Sequence, residues 1–254
     1  STVPRFEVKQ AIVANGFGTS GSPAVYIHNQ GHIFGNVITN TEADGSIKTT
    51  DGSINGDIFV GPGAKLETVV SNLSKVTGTV DHMKIPVDYP SIHFPDIPDV
   101  GLSKGDFSVD NNQTIDSDGY WKKLEGSDYL TLTIDLDKGV RTIVVEELNL
   151  RSGDIQLENV GENGQLRLFV KKSFSNGRIN IQGEGSSRPN ALLLYYYGAT
   201  QTSDLGLHMH GNFFSKTADV IIANNTRIVG NVFSDCSSVE IVGGSHAVDG
   251  IIYA

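Results

Sequence analysis

Cysteine is almost missing from the 254-residue sequence. The single Cys236 can form neither an internal disulfide nor a cysteine-based zinc site. Charge is also sparse, at 19% Asp, Glu, Lys and Arg, and it is lopsided: 19 basic residues stand against 29 acidic ones, a formal net charge of -10. A surface that neutralises phosphates is therefore not implied, which argues against nucleic acid or an anionic membrane as partner. No run approaches the roughly 18 consecutive apolar residues of a membrane-spanning helix. Nor does any apolar stripe with a 3.6-residue period persist over 12 or more positions, so helix bundles and coiled coils are excluded. The N-terminal STVPRFEVKQAIVANGFG begins without Met and without the pattern of a signal peptide, and is expected to be a trimmed part of a longer protein.

What is present is glycine, 29 residues of it, and part of it recurs at a fixed place in one short pattern. An aliphatic residue, a spacer, glycine and a small or polar residue precede further apolar residues at Ile33-Phe34-Gly35-Asn36-Val37, Ile54-Asn55-Gly56-Asp57-Ile58 and Val76-Thr77-Gly78-Thr79-Val80. The pattern returns at Met209-His210-Gly211-Asn212-Phe213, Ile228-Val229-Gly230-Asn231-Val232 and Val248-Asp249-Gly250-Ile251-Ile252. The glycines are 21 and 22 residues apart in the first group and 19 and 20 in the second. A repeat of that length fits one coil of a parallel β-solenoid, in which each coil buries its apolar side against its neighbours. Period-two strands at Leu130–Leu136, Ile179–Ile181 and Val239–Ile241, with breakers such as Asp44-Gly45 and Asn163-Gly164, imply two or three strands per coil. The expectation is an all-β chain, a single right-handed parallel β-helix domain over residues 1–254. It would have about ten coils in a rod near 50 Å long.

Two local features qualify that picture. Asn36, Asp57, Asn212 and Asn231 follow repeat glycines, and either stack as a ladder or merely tolerate the turn backbone. Residues 81–100 carry four of the eight prolines, which cannot donate to a central ladder, together with Ile85, Val87, Ile92, Phe94 and Ile97. This segment is expected to leave the stack and cover an outer face. The excursion is expected to span 81–121, with a polar loop from Ser108 to Trp121 and coils resuming near Tyr129.

Catalytic patterns are weak. A β-helical pectin hydrolase would need adjacent aspartates with a nearby His-Gly and Arg-Ile-Lys; only His210-Gly211 occurs, and Asn225-Thr226 is followed by Arg227. A calcium-dependent lyase would need more ligands than Asp135 with Asp137 or Asp116 with Asp118 supply, so these pairs read as structural or solvated. His208 and His210 share a strand face and are the best metal candidates, but a third ligand from Asp219, Cys236 or His246 depends on register; no metal and no cofactor is expected. No Gly-x-Ser-x-Gly elbow occurs, and sequons at Asn72, Asn112 and Asn224 matter only in a glycosylating pathway. Among aromatic residues, alternation sends Tyr195 and Tyr197 to the face opposite Tyr196, and Tyr120 adjoins Trp121, the sole tryptophan. Tyr120, Trp121, Tyr195 and Tyr197 are the candidate ligand-binding residues, either as exposed rings that stack on sugars or as core filling.

In this order, several segments resemble the β-helical ectodomains of bacterial type IV pilus-associated surface proteins. They are Gly56–Ala64, Asp88–Pro98, Val140–Val145, Leu166–Lys171, Leu194–Gly198 and Gly250–Ala254. A weaker resemblance reaches the tāpirins, cellulose-adhesion proteins that carry a β-helical C-terminal domain. The resemblance implies a non-catalytic role in attachment at the cell surface or pilus, outside the cell, and carries no catalytic residues. The expected partners are an insoluble polysaccharide such as cellulose, or pilus components; nucleic acid and membrane insertion are not expected. The alternatives are a β-helix polysaccharide lyase or hydrolase and a self-assembling scaffold.

Overall fold

A computed structural model describes residues 10–14, 23–87, 94–126, 129–175, 177–198, 207–216, 220–222, 227–234, 239–242 and 247–253. The chain is all-β there: helix is confined to Leu66–Val69 and to 3-10 turns at Leu73–Lys75 and Pro189–Ala191. Every strand pairing among these residues is parallel. The pairings build sheets of twelve, seven, four and two strands.

The alternation seen in the sequence decides which side of each strand is buried. Across the twelve-stranded sheet, one inward row runs in register through Ile58, Val37, Ile12, Ile252, Val232, Phe213, Leu194, Leu168 and Ile143. Each of these is at most 2% exposed, and together they form the spine of one continuous core. Removing so much aliphatic surface from water is the main driving force of the fold.

The spatial order of that sheet differs from its chain order. From one edge it reads Val80–His82, Ile58–Val60, Asn36–Thr39, Gln10–Ala14, Ile252–Tyr253, Val232–Ser234, Asn212–Ser215, Leu192–Tyr196, Gln165–Ser175, Val140–Asn149, Gly119–Glu125 and Asp106–Ser108. Gln10–Ala14, the first strand among the described residues, thus lies mid-sheet, paired on one side with Asn36–Thr39 and on the other with Ile252–Tyr253, Ile12 opposite Ile252. A second junction of the same kind joins Val25–His28 to Val239–Val242 in the four-stranded sheet. Successive passes run from Gln10–Ala14 to one edge at Val80–His82. The chain then crosses to the far edge and winds back until Ile252–Tyr253 meets Gln10–Ala14.

The crossing is made by the proline-rich segment, and three anchors trace its course. Asn40, 6% exposed, accepts the Val87 N–H at 2.8 Å and donates to the Val87 carbonyl at 2.9 Å. Tyr197 donates its hydroxyl to the Pro95 carbonyl, with Phe94 edge-on at 6.2 Å. Ser103 then pairs with Tyr120, and the Lys104 N–H donates to the Tyr120 carbonyl at 2.8 Å. The segment outside the sheets is shorter than the expected 81–121. Asp106–Ser108, Gln113–Ile115 and Gly119–Glu125 are paired strands, not a loop. Their polarity reflects an edge pass that faces water on one side, which the alternation alone did not distinguish from a loop. Val87, Phe94 and Ile97 are half-buried as a covering role requires, whereas Ile85 is 76% exposed; Ile92 lies outside the described residues.

The recurring glycines have a steric cause. A Cβ on Gly56 would sit 2.2 Å from the Gly35 carbonyl oxygen, and one on Gly230, at φ +135°, would sit 2.1 Å from that of Gly211. Successive passes approach so closely at this corner that no side chain fits. The polar residue after the glycine forms a ladder. Asn36 Oδ1 accepts the Asp57 N–H and Asp57 Oδ1 the Thr79 N–H, both at 2.8 Å. Asn212 Oδ1 accepts the Asn231 N–H and Asn231 Oδ1 the Ile251 N–H, both at 3.1 Å. These side chains satisfy turn amides that the sheets leave unpaired.

Candidate functional site

The outer face of the twelve-stranded sheet carries an aromatic row, generated by the same register that builds the core. Tyr120, Val144, Phe169, Tyr195, Phe214 and Phe233 are successive outward partners. Phe169 and Tyr195 stack with centroids 4.9 Å apart, Tyr195 and Phe214 at 4.8 Å, and Phe214 and Phe233 at 4.7 Å, with interplanar angles of 11° to 22°. The spacing equals one strand separation, so the rings lie face to face along the sheet, with Phe169 buried and Tyr195, Phe214 and Phe233 part-exposed.

That arrangement decides what the four aromatic candidates can do. Tyr195 has both faces covered, by Phe169 and by Phe214, and burial pushes its hydroxyl pKa up. Tyr197 is held by Pro95 and Phe94, Lys216 lies 5.2 Å from its ring centre, and burial raises its pKa to about 12. Trp121 is in the core at 4% exposure, edge-on to Phe107 at 6.3 Å and with Lys104 Nζ 4.8 Å from its ring. Its position follows from pairing with the inward Val145. Tyr120 faces outward, with Lys171 Nζ 5.1 Å from its ring. Trp121, Tyr195 and Tyr197 therefore offer no uncovered flat ring for a sugar. The alternation that separates Tyr195 and Tyr197 from the buried Tyr196 holds.

Tyr120 opens onto a groove of about 340 Å³ between the crossing segment and the sheet, lined by Ile97 to Gly101, Tyr120, Val144 and Lys171. Beside it, Glu146 accepts the Tyr120 hydroxyl and Lys172 Nζ at 2.6 Å, with Lys171 Nζ at 3.9 Å. Lys172 and Tyr120 hold the Glu146 pKa down to about 2, while Lys172 is raised and Tyr120 is raised by their bonds to Glu146. A carboxylate held this way stays ionised at neutral pH and cannot serve there as a general acid. Its bonds instead tie three neighbouring strands together. Composition does not reveal this cluster: Glu146, Lys171 and Lys172 are ordinary surface types until register brings them together.

The other candidates separate. His210 Nδ1 donates to the Ser186 carbonyl at 2.6 Å, and no cluster of three or more His, Cys, Asp or Glu side chains suited to a metal occurs among the described residues. Asp219, Cys236 and His246 lie outside those residues. Asp135 caps a turn, accepting the Asp137 N–H at 2.9 Å and Asn159 Nδ2 at 3.0 Å, and these bonds lower its pKa. Asp118 accepts the Thr142 N–H at 2.9 Å. Asp135 and Asp118 are thus engaged in backbone geometry.

A different surface is polar. In the seven-stranded sheet, Thr131–Asp135 pairs with Asp154–Glu158, so that Thr133 stands beside Gln156 and Asp135 beside Glu158. Alternation turns Leu132, Ile134, Ile155 and Leu157 inward and leaves those polar side chains outward. Comparison with protein-family models, with curated proteins and with solved structures found no match to the chain.

Proposed function

We propose that the chain is a right-handed parallel β-helix serving as a non-catalytic, extracellular adhesion domain, associated with a cell surface or pilus, that binds insoluble polysaccharide. The observation that carries the binding reading is the outward polar face of the seven-stranded sheet, with Thr133 beside Gln156 and Asp135 beside Glu158. Rows about 4.8 Å apart present hydroxyl, amide and carboxylate groups to a flat polymer surface without the side chains having to reorganise. Support for the solenoid reading comes from the all-parallel pairing and from strands that return to the same sheets at a nearly constant interval. The ring faces of Tyr195 and Tyr197 are engaged within the protein, so hydrogen bonding on this polar face replaces aromatic stacking as the mode of attachment.

Pull-down on microcrystalline cellulose and a panel of other insoluble glycans tests the reading. Retention of the wild-type chain, reduced severalfold by Thr133→Ala with Gln156→Ala and unchanged by Tyr197→Phe, is the expected result. A wild-type chain that stays in the supernatant with every polymer overturns polysaccharide adhesion.

A further inference from the structure

We propose that the two free edges of the stack bind one another between copies, so that the chain associates head to tail through Leu102 of one copy and an apolar end groove of the next. This goes beyond the adhesion reading and does not depend on it. At one edge, Val80–His82 has a partner on one side only among the described residues, and Leu66, Leu73, Val76 and Val80 line an open groove of about 300 Å³ together with Glu67 and Gly78. Leu73 is 42% exposed there. At the other edge, Ser103 pairs with Tyr120, which sets Leu102 opposite Gly119, the next member of the inward row after Ile143. Leu102 is 94% exposed, the most exposed large apolar side chain among the described residues.

Register makes the two edges complementary. The inward row ends in Val80 beyond Ile58 at one edge and reaches the level of Leu102 beyond Gly119 at the other. A second copy added in the same orientation continues the twelve-stranded sheet as a parallel ladder, with Leu102 arriving at Val80 and filling the groove. Charge agrees: residues 65–84 hold three lysines against two acids, whereas residues 103–118 hold four aspartates against one lysine. Because the two surfaces differ, the contact is heterologous and does not close on itself, so growth continues beyond a dimer.

Sedimentation velocity of the purified chain over a wide concentration range reads the proposal directly. The average mass should rise with concentration without a plateau, and less steeply in high salt, which screens the charged rims. Leu102→Asp, at a site too exposed to affect folding, should stay monomeric; Leu73→Asp should do the same from the opposite edge. Each variant keeps one intact edge, so an equimolar mixture should form a dimer and stop. A wild-type chain that is monomeric throughout, a plateau at a closed dimer, or a Leu102→Asp variant that associates like wild type each overturns the proposal. Retention of monomeric Leu102→Asp on glycans reports adhesion separately.

Discussion

The passes between residues 25 and 82 and those between 106 and 198 solve the same packing problem differently. The first group uses strands of three or four residues, three to a pass, with ladder contacts between residues 21 and 22 apart. The second uses strands as long as Val140–Asn149 and Gln165–Ser175, two to a pass, with side-chain bonds between residues 24 to 26 apart. Corners differ accordingly. Short passes repeat a glycine at the corner where backbones touch, and an Asn or Asp ladder satisfies the turn; the long passes also press glycine against backbone, at Gly126 and Gly198, but without that repeat. Long passes absorb a corner within the strand, through the register shift between Val145 and Glu147, and hold neighbours by charged pairs such as Glu146 with Lys172. A tight corner leaves a mark in the sequence, and a bent strand leaves almost none.

The sharpest way to break this contrast is to give both kinds of turn the same substitution. Gly56→Ala places a methyl group against the Gly35 carbonyl and should cost about 3 kcal/mol by overpacking. Gly139→Ala, whose nearest contact is 3.7 Å away, should change stability by no more than about 0.5 kcal/mol. Chemical denaturation measures both; equal effects would remove the steric account of the repeat. Next in size is Asn40→Ala, which frees both polar groups of Val87 where the crossing segment docks on a short pass. A loss of about 1–2 kcal/mol is expected, together with faster proteolysis between residues 83 and 100.

The smallest effect lies among the long passes and depends on pH. The Glu146 pKa is lowered from 4.5 to about 2 in the folded protein, so its contribution to stability is complete above 4.5 and fades as pH falls toward 2. The difference in melting temperature between wild type and Glu146→Gln should therefore shrink steadily over that range. A gap that stays constant with pH would mean that the carboxylate charge is not what joins these strands.

All-β character and the places of the short passes were legible because glycine spacing and alternation are local signals. The edge pass at 106–125 was not, since Gln113–Ile115 reads as a loop until its pairing with Leu132–Ile134 is known. The aromatic candidates illustrate the same limit. Alternation correctly sorted Tyr195 and Tyr197 from Tyr196, but stacking against Phe169 and Phe214 is set by neighbours that lie 26 and 19 residues away. Trp121 adjoins a polar stretch in sequence and yet belongs to the core, because pairing with Val145 turns it inward.

The meeting of Gln10–Ala14 with Ile252–Tyr253 has a consequence for how the molecule comes to exist. Ile12 and Ile252 are 240 residues apart, so this contact closes a very long loop. Pairings of such separation form slowly, and a chain emerging from a ribosome delivers Ile252 long after Ile12. Until Ile252–Tyr253 arrives, the Gln10–Ala14 edge stays open toward solvent, a template for any other nascent strand nearby. Refolding should accordingly end in a slow step that joins two preformed stacks, and its yield should fall as protein concentration rises.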